Sequence, residues 1–406
     1  MTKSFFTFFF LLFATNVLSI DHLSMKLHFD KHLLNIEAIY QLSISEPNKS
    51  AYFILHPEVD SLNISGDNIE SFIQSTRPDR PLPYLNLNFS KTPKIDEKID
   101  IKFTYQIDMN KNNHMNSDWI ELNVDKFWFP NFNDIDNKFT YDVTITGLPK
   151  DYSLIGHPDA EICDIDSDNI SIQKTTPEME VLVLAGKNMK EWKAKSTSLI
   201  TFITANNISN EKLQSMHTKI SRSIDFMNHS FGKSNPIQEF KVLLRNTTKS
   251  EIGFQFARKN MIITGKDFDS YANLSHEIAH YWWADADFIE EPWLNESFAN
   301  YSMFSVLEKY DHDAFNTIFS KYKEKSINAP PVQTATLFSN DAYLTYYIKG
   351  AVLLKKLETI VGSKTLNTLL KRRVDKEINT TKGLLTELED LTNSKTLQLF
   401  TKLLQD

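Results

Sequence analysis

The sequence predicts an α+β chain in which an all-β N-terminal domain is followed by a mostly helical domain. The length of 406 residues is too great for one ordinary hydrophobic core. Apolar residues alternate at period two in the first half of the chain, whereas they recur every three or four residues beyond about residue 210. Because the strands come first and the helices later, we expect a β domain joined to an α+β domain.

The strand pattern covers about residues 20 to 195. Alternation is clearest over residues 36–44, and residues 51–55, 99–107 and 139–146 are further strand candidates. Short strands separated by turn residues are typical of a sandwich or a saddle-shaped sheet. We therefore assign residues 20–198 to an N-terminal β domain.

The helical pattern begins near residue 210. Leu213, Met216 and Ile220 are spaced by three or four, which predicts an amphipathic helix that ends at about Gly232. We assign residues 199–406 to this second domain. Two strands and several more helices are predicted in it, at residues 240–244, 261–264, 271–284, 295–310, 313–326, 341–361, 364–375 and 380–392.

Composition narrows the class of protein. Hydrophobic content of 41% and charged content of 24% are ordinary for a soluble globular chain, and the net charge of −8 argues against a nucleic-acid partner. Lys3, the apolar run at 5–14 and the small residues before Ile20 predict a signal peptide over residues 1–19. No later segment predicts a transmembrane span, so we expect export to the periplasm or secretion. Cys163 is the only cysteine, which excludes an internal disulfide.

The residues from His276 to His280 form the pattern His-Glu-x-x-His inside a predicted helix. Residues i and i+4 lie on one helix face, so both imidazoles can reach one ion. Neutral imidazoles suit Zn²⁺, and Glu277 stands beside them, where a carboxylate can act as a general base on water. Such a short pattern also arises by chance, so it requires support from its surroundings.

A zinc site that keeps one position open for water needs a third protein ligand. The best candidate is Glu296, which we expect to open the next helix. The 15 residues between His280 and Glu296 are enough for a loop and an antiparallel return. The alternative is that Glu296 only complements the dipole of its helix.

Together with these motifs, further segments resemble the M1 zinc aminopeptidases, the gluzincin group that includes aminopeptidase N and leukotriene A4 hydrolase. Residues 293–299 match the family's Trp-Leu-Asn-Glu-Gly-Phe-Ala segment, with Ser297 in place of Gly. Residues 347–351 match its Tyr-x-Lys-Gly-Ala segment, and residues 128–134 resemble its Phe-Pro-Cys-x-Asp-Glu-Pro region. The resemblance runs from about residue 22 to the C-terminus and implies a β saddle followed by a thermolysin-like catalytic domain.

The resemblance implies a role for each matching residue. His276, His280 and Glu296 would bind one Zn²⁺ per chain. Glu277 would polarise the attacking water and carry its proton to the leaving amine. Tyr347 would donate its phenolic hydrogen to the developing oxyanion.

Tyr347 is one of three neighbouring tyrosines, and the residues alone leave its role open. Packing against the next helix is the simpler explanation for Tyr343 and Tyr346, and it is the alternative for Tyr347. Only the spacing to Lys349 and Gly350 singles out Tyr347.

The chain departs from the family at the Gly-x-Met-Glu-Asn strand, whose Glu binds the free α-amino group of the substrate. Residues 253–260 stand in its place, and Gly253, Gln255 and Arg258 are the candidates for substrate contact. Gln255 would bind an amine only weakly. Arg258 would attract a substrate carboxylate if it faces the cleft, and otherwise it is a solvated cation on an edge strand. Glu121 in the β domain is a conceivable substitute for the missing carboxylate.

Two other departures concern the shape of the cleft. The spacing between His280 and Glu296 is shorter than in the family, which should reshape one wall of the cleft without moving the helices. The chain ends at Asp406, without the large C-terminal helical domain of longer members. We therefore expect either a more open site or one that a partner subunit covers.

The function that these patterns favour is that of a zinc metallopeptidase, aminopeptidase-like, that acts on peptides. The first alternative is a zinc endopeptidase, or a specialised peptide hydrolase, that does not recognise a free N-terminus. The second is an inactive binding module that retains zinc, although a structural zinc prefers four protein ligands, usually with Cys. The oligomeric state and the side-chain preference are not predicted.

Overall fold

The computed structural model describes residues 19–406 apart from 45–46, 57, 67, 77–81, 112–117, 133–136, 167, 195–198, 206–207, 246–254, 266 and 336. Residues 1–18 of the predicted signal peptide lie outside the described residues, and so does Gly253. No helix of the described part is long and apolar enough to cross a membrane.

Strands dominate the N-terminal part, as predicted. They are β1 (Ser19–Asp30), β2 (Leu33–Ser43), β3 (Ser50–Ile54), β4 (Asp60–Ser65), β5 (Ile69–Thr76), β6 (Pro83–Phe89), β7 (Lys98–Asp108), β8 (Trp119–Leu122), β9 (Asn131–Phe132), β10 (Phe139–Thr146), β11 (Tyr152–Ile155), β12 (Glu161–Asp164), β13 (Asn169–Glu178) and β14 (Val183–Lys187).

These strands form three sheets. The largest has seven strands in the order β12-β13-β10-β1-β2-β7-β4, and its pairing is antiparallel except between β1 and β10. A four-stranded sheet has the order β5-β6-β3-β9, and a three-stranded sheet has the order β11-β14-β8. The predicted strands at 36–44, 51–55, 99–107 and 139–146 fall on β2, β3, β7 and β10.

Aromatic side chains fill the core between the two larger sheets. Alternation along β2 turns Tyr40 inward, and its ring meets Phe53 at a centroid distance of 5.4 Å. Phe53 also contacts Phe103 of β7 at 4.9 Å and Phe132 of β9 at 5.1 Å. Edge-to-face and tilted ring contacts of this kind stabilise a core beyond the area that they bury. They attach the segment around Phe132 to the sheet.

A five-stranded sheet follows, with the order β15-β16-β17-β19-β18. The strands β16, β17 and β19 are parallel, and β18 pairs antiparallel with β19 at the edge. Strand β15 lies before the predicted domain boundary at residue 198, β16 lies after it, and the two strands are hydrogen-bonded to each other. The boundary itself stays a prediction. Their bounds are β15 (Met189–Lys193), β16 (Ile200–Ala205), β17 (Phe240–Arg245), β18 (Phe256–Arg258) and β19 (Met261–Gly265).

Helices make up most of the rest of the chain, which confirms the predicted fold class. The α-helices are α1 (Asn210–Ser230), α2 (Tyr271–Ala279), α3 (Pro292–Tyr310), α4 (His312–Ser326), α5 (Gly350–Val361), α6 (Ser363–Asp375), α7 (Thr381–Leu391) and α8 (Ser394–Gln405). A π-helix, Tyr343–Lys349, leads directly into α5.

Three of the predicted helices differ from the observed ones, and one observed helix was not predicted. The helix predicted at 271–284 ends at Ala279, and the one predicted at 295–310 begins at Pro292. The single helix predicted at 341–361 is a π-helix followed by an α-helix. Helix α8 was not predicted, although Asn393 caps it by accepting a hydrogen bond from the Thr396 N–H at 3.0 Å.

Candidate active site

Helix α2 carries the first two predicted ligands, and its start is well anchored. Ser270 caps it by accepting a hydrogen bond from the Asn273 N–H at 3.1 Å. The side-chain amide of Gln255 donates to the Asn273 carbonyl at 3.3 Å and accepts from the Thr264 hydroxyl at 3.2 Å. Gln255 therefore ties the edge of the five-stranded sheet to the start of α2.

The end of α2 positions His280. The helix stops at Ala279. The next residues form a tighter turn, in which hydrogen bonds span three residues instead of four: Tyr281 N–H bonds to Ile278 O and Trp282 N–H to Ala279 O. Trp282 donates its indole hydrogen to the Asn235 carbonyl at 2.9 Å. Tertiary hydrogen bonding thus ends the helix earlier than its apolar periodicity predicts.

Glu296 lies in the second turn of α3 instead of opening the helix, because α3 begins at Pro292. Proline is favoured at a first helical position, where its missing N–H is not needed. Asn295 fixes this end of the helix: its side-chain amide accepts from the Ala286 N–H at 3.2 Å and donates to the Ala286 carbonyl at 2.9 Å. The short loop between the two ligand helices is therefore held at its middle.

A buried arginine supports the start of α3 from the other side. The Arg373 guanidinium donates to the Leu294 carbonyl at 2.9 Å and lies over the rings of Trp283 and Phe298. Such stacking suits the planar, weakly hydrated guanidinium. Arg373 thereby holds together α3, α6 and the turn that follows His280.

The structure brings His276, His280 and Glu296 together. Their three ligand atoms all lie within 4.8 Å of one another. Nε2 of His276 and Nε2 of His280 are 3.3 Å apart, and each is 3.5 Å from Oε2 of Glu296. The Glu277 carboxylate lies 4.0 Å from Nε2 of His276, on the edge of the same cluster.

This cluster fits a zinc ion on chemical grounds. Two imidazole nitrogens face each other at 3.3 Å, and the buried Oε2 of Glu296 makes no hydrogen bond of good geometry among the described residues. Nδ1 of His280 lies 3.2 Å from the Trp283 carbonyl, and a proton on Nδ1 leaves a lone pair on Nε2. Two imidazoles and one carboxylate, with room for water, are a typical ligand set for catalytic zinc.

The electrostatics of the cluster also favour a cation. Burial lowers the pKa of His280, but the Glu296 and Glu277 carboxylates outweigh burial and raise this pKa to about 9. Burial raises the pKa of Glu296, and the two imidazoles outweigh it and hold the pKa well below its usual range. The cluster therefore stabilises positive charge at its centre.

Tyr347 lies beside the cluster, on the π-helix. Its ring stacks on the His276 imidazole with centroids 5.9 Å apart, and its hydroxyl contacts the Glu296 carboxylate. Burial and then the charge of Glu296 raise the pKa of Tyr347 well above its usual value. The hydroxyl thus keeps its proton at neutral pH and is a hydrogen-bond donor.

Arg258 is placed at the end of β18, the strand next to α2. It does not stand free: its guanidinium forms a two-point ion pair with Glu180, which includes a contact of 3.1 Å between Nη2 and Oε2. Oε2 of Glu180 also accepts the Val124 N–H at 3.0 Å. The charge that was expected to attract a substrate carboxylate is neutralised by the protein.

Glu121, the conceivable substitute from the β domain, is also engaged. Its side chain is buried and accepts hydrogen bonds from the Trp119 indole at 2.8 Å and the Asn123 amide at 3.3 Å. Arg245 lies 3.6 Å from the same carboxylate. Burial raises the pKa of Glu121, and the Arg245 charge opposes this shift.

A further carboxylate near Arg258 and Glu180 is that of Asp125, which no sequence motif identifies. It is exposed and lies in the turn Val124–Lys126, whose first N–H donates to Glu180. Burial raises the pKa of Asp125 although its side chain keeps contact with solvent, the Arg258 charge opposes this shift, and Asp125 in turn raises the pKa of Tyr347. Asp125 is therefore within electrostatic reach of Tyr347. No local pattern marks it, because residues 125, 180 and 258 meet only in the folded chain.

Comparison with known proteins gives a likeness of fold. The M1 zinc metallopeptidase from Deinococcus radiodurans has a TM-score of 0.66 and 15% sequence identity, over 96% of this chain and 94% of that chain. A variant of a two-domain M1 zinc metallopeptidase bound to L-tryptophan has a TM-score of 0.65 at 14% identity, over 96% and 94% of the two chains. A variant bound to the substrate Tyr-Ser-Ala has the same score, identity and coverage.

No family model and no curated protein matches this sequence. The similarity is therefore one of structure, and it extends over nearly the whole of both chains. This chain has the fold of the two-domain M1 zinc metallopeptidases.

Proposed function

We propose that this chain is a zinc metallopeptidase that binds one Zn²⁺ through His276, His280 and Glu296. The observation that carries the proposal is the meeting of these three ligand atoms within 4.8 Å, with Glu277 at the edge of the cluster and Tyr347 stacked on His276. A hydrolase needs this combination of metal ligands, base and oxyanion donor, whereas a structural zinc site needs only the ligands.

When bound, Zn²⁺ would act as a Lewis acid on a water molecule and on the substrate carbonyl. Glu277 would take a proton from the attacking water as the water oxygen bonds to the carbonyl carbon. Tyr347, protonated at neutral pH, would donate a hydrogen bond to the carbonyl oxygen as negative charge develops there. Glu277 would then pass the proton to the leaving nitrogen while the C–N bond breaks.

We further propose that the substrate is a peptide with a free N-terminus. Arg258 and Glu180 cancel each other's charge, which leaves Asp125 near this pair with an exposed carboxylate of its own. A substrate ammonium beside Asp125 would balance this charge. Asp125 would thus replace the Glu that the family carries on the strand corresponding to residues 253–260.

The second candidate is an endopeptidase, or a specialised peptide hydrolase. It is favoured by a cation, Arg258, on the strand where the family has its amine-binding carboxylate. If Asp125 does not bind the ammonium, nothing in the described part of this strand would prefer a free N-terminus to a blocked one. The third candidate, an inactive module that binds zinc, has no specific observation in its favour. We keep export through the signal peptide at 1–19 as a proposal from the sequence.

Three measurements on the purified chain test the proposed function. Zinc content after loading and dialysis is expected to be one ion per chain, and a protein that retains none would overturn the metal site. Rates are then compared on the peptide Tyr-Ser-Ala and its N-acetylated form. Hydrolysis of the free peptide alone supports aminopeptidase activity. Equal rates support the endopeptidase, and bound zinc without hydrolysis of either peptide supports the binding module.

A further inference from the structure

We propose that Ser297 and Asn300 are positioning residues that hold Tyr347 against the metal cluster. This inference rests on the proposed function. The Ser297 hydroxyl donates to the Tyr346 carbonyl at 2.5 Å, and the Asn300 amide donates to the Tyr347 carbonyl at 2.8 Å. Both donors belong to α3, the helix that supplies Glu296.

The widened turn of the π-helix explains why the Tyr346 carbonyl needs a donor from outside. In an α-helix, the Gly350 N–H would bond to Tyr346, four residues earlier. Here it bonds to the Thr345 carbonyl, five residues earlier. The Tyr346 carbonyl thus loses the partner that it would have in an α-helix. The Tyr346 and Ser297 side chains are buried there, and a buried carbonyl without a hydrogen-bond donor is costly. Ser297, which is fully buried, replaces the lost donor.

Close packing at Gly350 makes this contact possible. A Cβ atom at Gly350 would lie 1.8 Å from the Ser297 Oγ and 2.8 Å from its Cβ. The backbone of Gly350 is ordinary right-handed helix, with φ −58° and ψ −41°, so glycine is not required for conformation. It is required for the close approach of the two helices at the point where Ser297 makes its hydrogen bond.

The consequence for the site is geometric. Tyr347 is fixed by Ser297 at the carbonyl of the residue before it and by Asn300 at its own carbonyl. Because Ser297 and Asn300 lie one and four residues after Glu296, one rigid helix sets the position of both a metal ligand and the oxyanion donor. A small displacement of a donor from the developing charge lowers the rate, even where substrate binding is unchanged.

The test uses Ser297→Ala and Asn300→Ala in the full-length zinc-loaded enzyme. Each is expected to lower kcat about 10-fold with little change in KM and with full zinc content, because the lost interaction serves the transition state. Ser305→Ala is the matched control, since its hydroxyl bonds to the Tyr301 carbonyl within its own helix and not to the π-helix, and it should keep full activity.

A double-mutant cycle separates positioning from general stability. If Ser297 acts through the Tyr347 hydroxyl, then Ser297→Ala should have almost no further effect on kcat in the Tyr347→Phe background. An equal loss in both backgrounds, or full activity of both single variants, overturns the proposal. If Ser297→Ala does not fold, the same cycle is run with Asn300→Ala.

A structural readout keeps this inference separate from the proposed function. A crystal structure of Ser297→Ala should show the Tyr347 ring displaced from His276, relative to a stacking distance of 5.9 Å in the native chain. An unmoved ring would overturn the positioning role, even in an active enzyme. A displaced ring in a protein whose native form hydrolyses no peptide would retain the positioning role and reject the peptidase.

Discussion

The Arg258 guanidinium and the Glu180 carboxylate form a two-point ion pair, and the Glu180 side chain is completely buried. Breaking a buried pair by removing one charge leaves the other charge uncompensated. Glu180→Gln should therefore destabilise the chain by about 3 kcal/mol, the lower end for a buried pair, because Arg258 retains some contact with solvent. Denaturant unfolding followed by circular dichroism measures this change.

The control is Glu37→Gln, which removes a carboxylate from the more exposed pair with Lys102. Such a pair contributes about 0–1 kcal/mol. Equal effects of the two substitutions on the free energy of unfolding would contradict a special role for Glu180.

The same ion pair predicts that the stability of the fold depends on pH. Burial raises the pKa of Glu180, but Arg258 and the Val124 N–H outweigh it, so the folded-state pKa lies below the usual value. A carboxyl whose pKa is lowered by folding stabilises the fold fully above its unfolded pKa, roughly 4.3, and loses this contribution as the pH falls through the folded pKa. The stability difference between wild type and Glu180→Gln should thus shrink as pH is lowered below about 4. A constant difference between pH 7 and pH 3 would exclude this explanation.

Asp125→Asn tests the assignment of the substrate ammonium. Removal of the exposed charge should raise KM for peptides with a free N-terminus about 10-fold, which is the effect of losing roughly 1.4 kcal/mol of binding. Turnover of N-acetylated peptides should stay the same. Asp118→Asn, a few residues earlier and also exposed, serves as the control. An unchanged KM for peptides with a free N-terminus would exclude Asp125 as the amine site.

Zinc should stabilise the protein through its three ligands. At a free concentration about 100 times Kd, a ligand that binds only the folded state adds about 2.7 kcal/mol. The melting temperature should rise when Zn²⁺ is added to protein that a chelator has stripped of metal. His280→Ala or Glu296→Ala should abolish this rise. His229→Ala, at an exposed histidine, should retain it. A rise that persists in His280→Ala would place the zinc elsewhere.

Glu277→Gln should separate chemistry from metal binding. The amide cannot take a proton from water, so kcat should fall by a factor on the order of 10² to 10⁴. Zinc content should stay at the wild-type level, because the three metal ligands remain. Glu324→Gln, on the exposed face of α4, is the matched surface control. Full turnover by Glu277→Gln would remove Glu277 as the base.

Local patterns account for the approach of the three residues at the centre of this cluster. The spacing of His276 and His280 determines their approach through helix geometry alone, and one short loop brings Glu296 to them. The strands β2, β3, β7 and β10 were predicted because alternation reports a buried face directly.

What the sequence did not predict depends on long-range contacts or small changes of helical pitch. Asp125, Glu180 and Arg258 come from three separate elements, and no periodicity connects them. The π-helix has nearly the same apolar pattern as an α-helix, so residues 341–361 were predicted as one helix. The early end of α2 depends on Trp282 and its bond to the Asn235 carbonyl.

The contact between Ser297 and Gly350 constrains the order in which the two positions can change. With serine at 297, an alanine at 350 would place its Cβ 1.8 Å from an oxygen, which no adjustment of a short side chain relieves. If position 297 first became glycine, the nearest remaining neighbour of that Cβ would be the Thr345 carbonyl at 3.7 Å, an ordinary contact. Substitution at position 297 followed by substitution at position 350 is therefore tolerated, whereas the reverse order is not. The two positions are expected to show sign epistasis across 53 residues of chain, and a screen of either one alone would miss it.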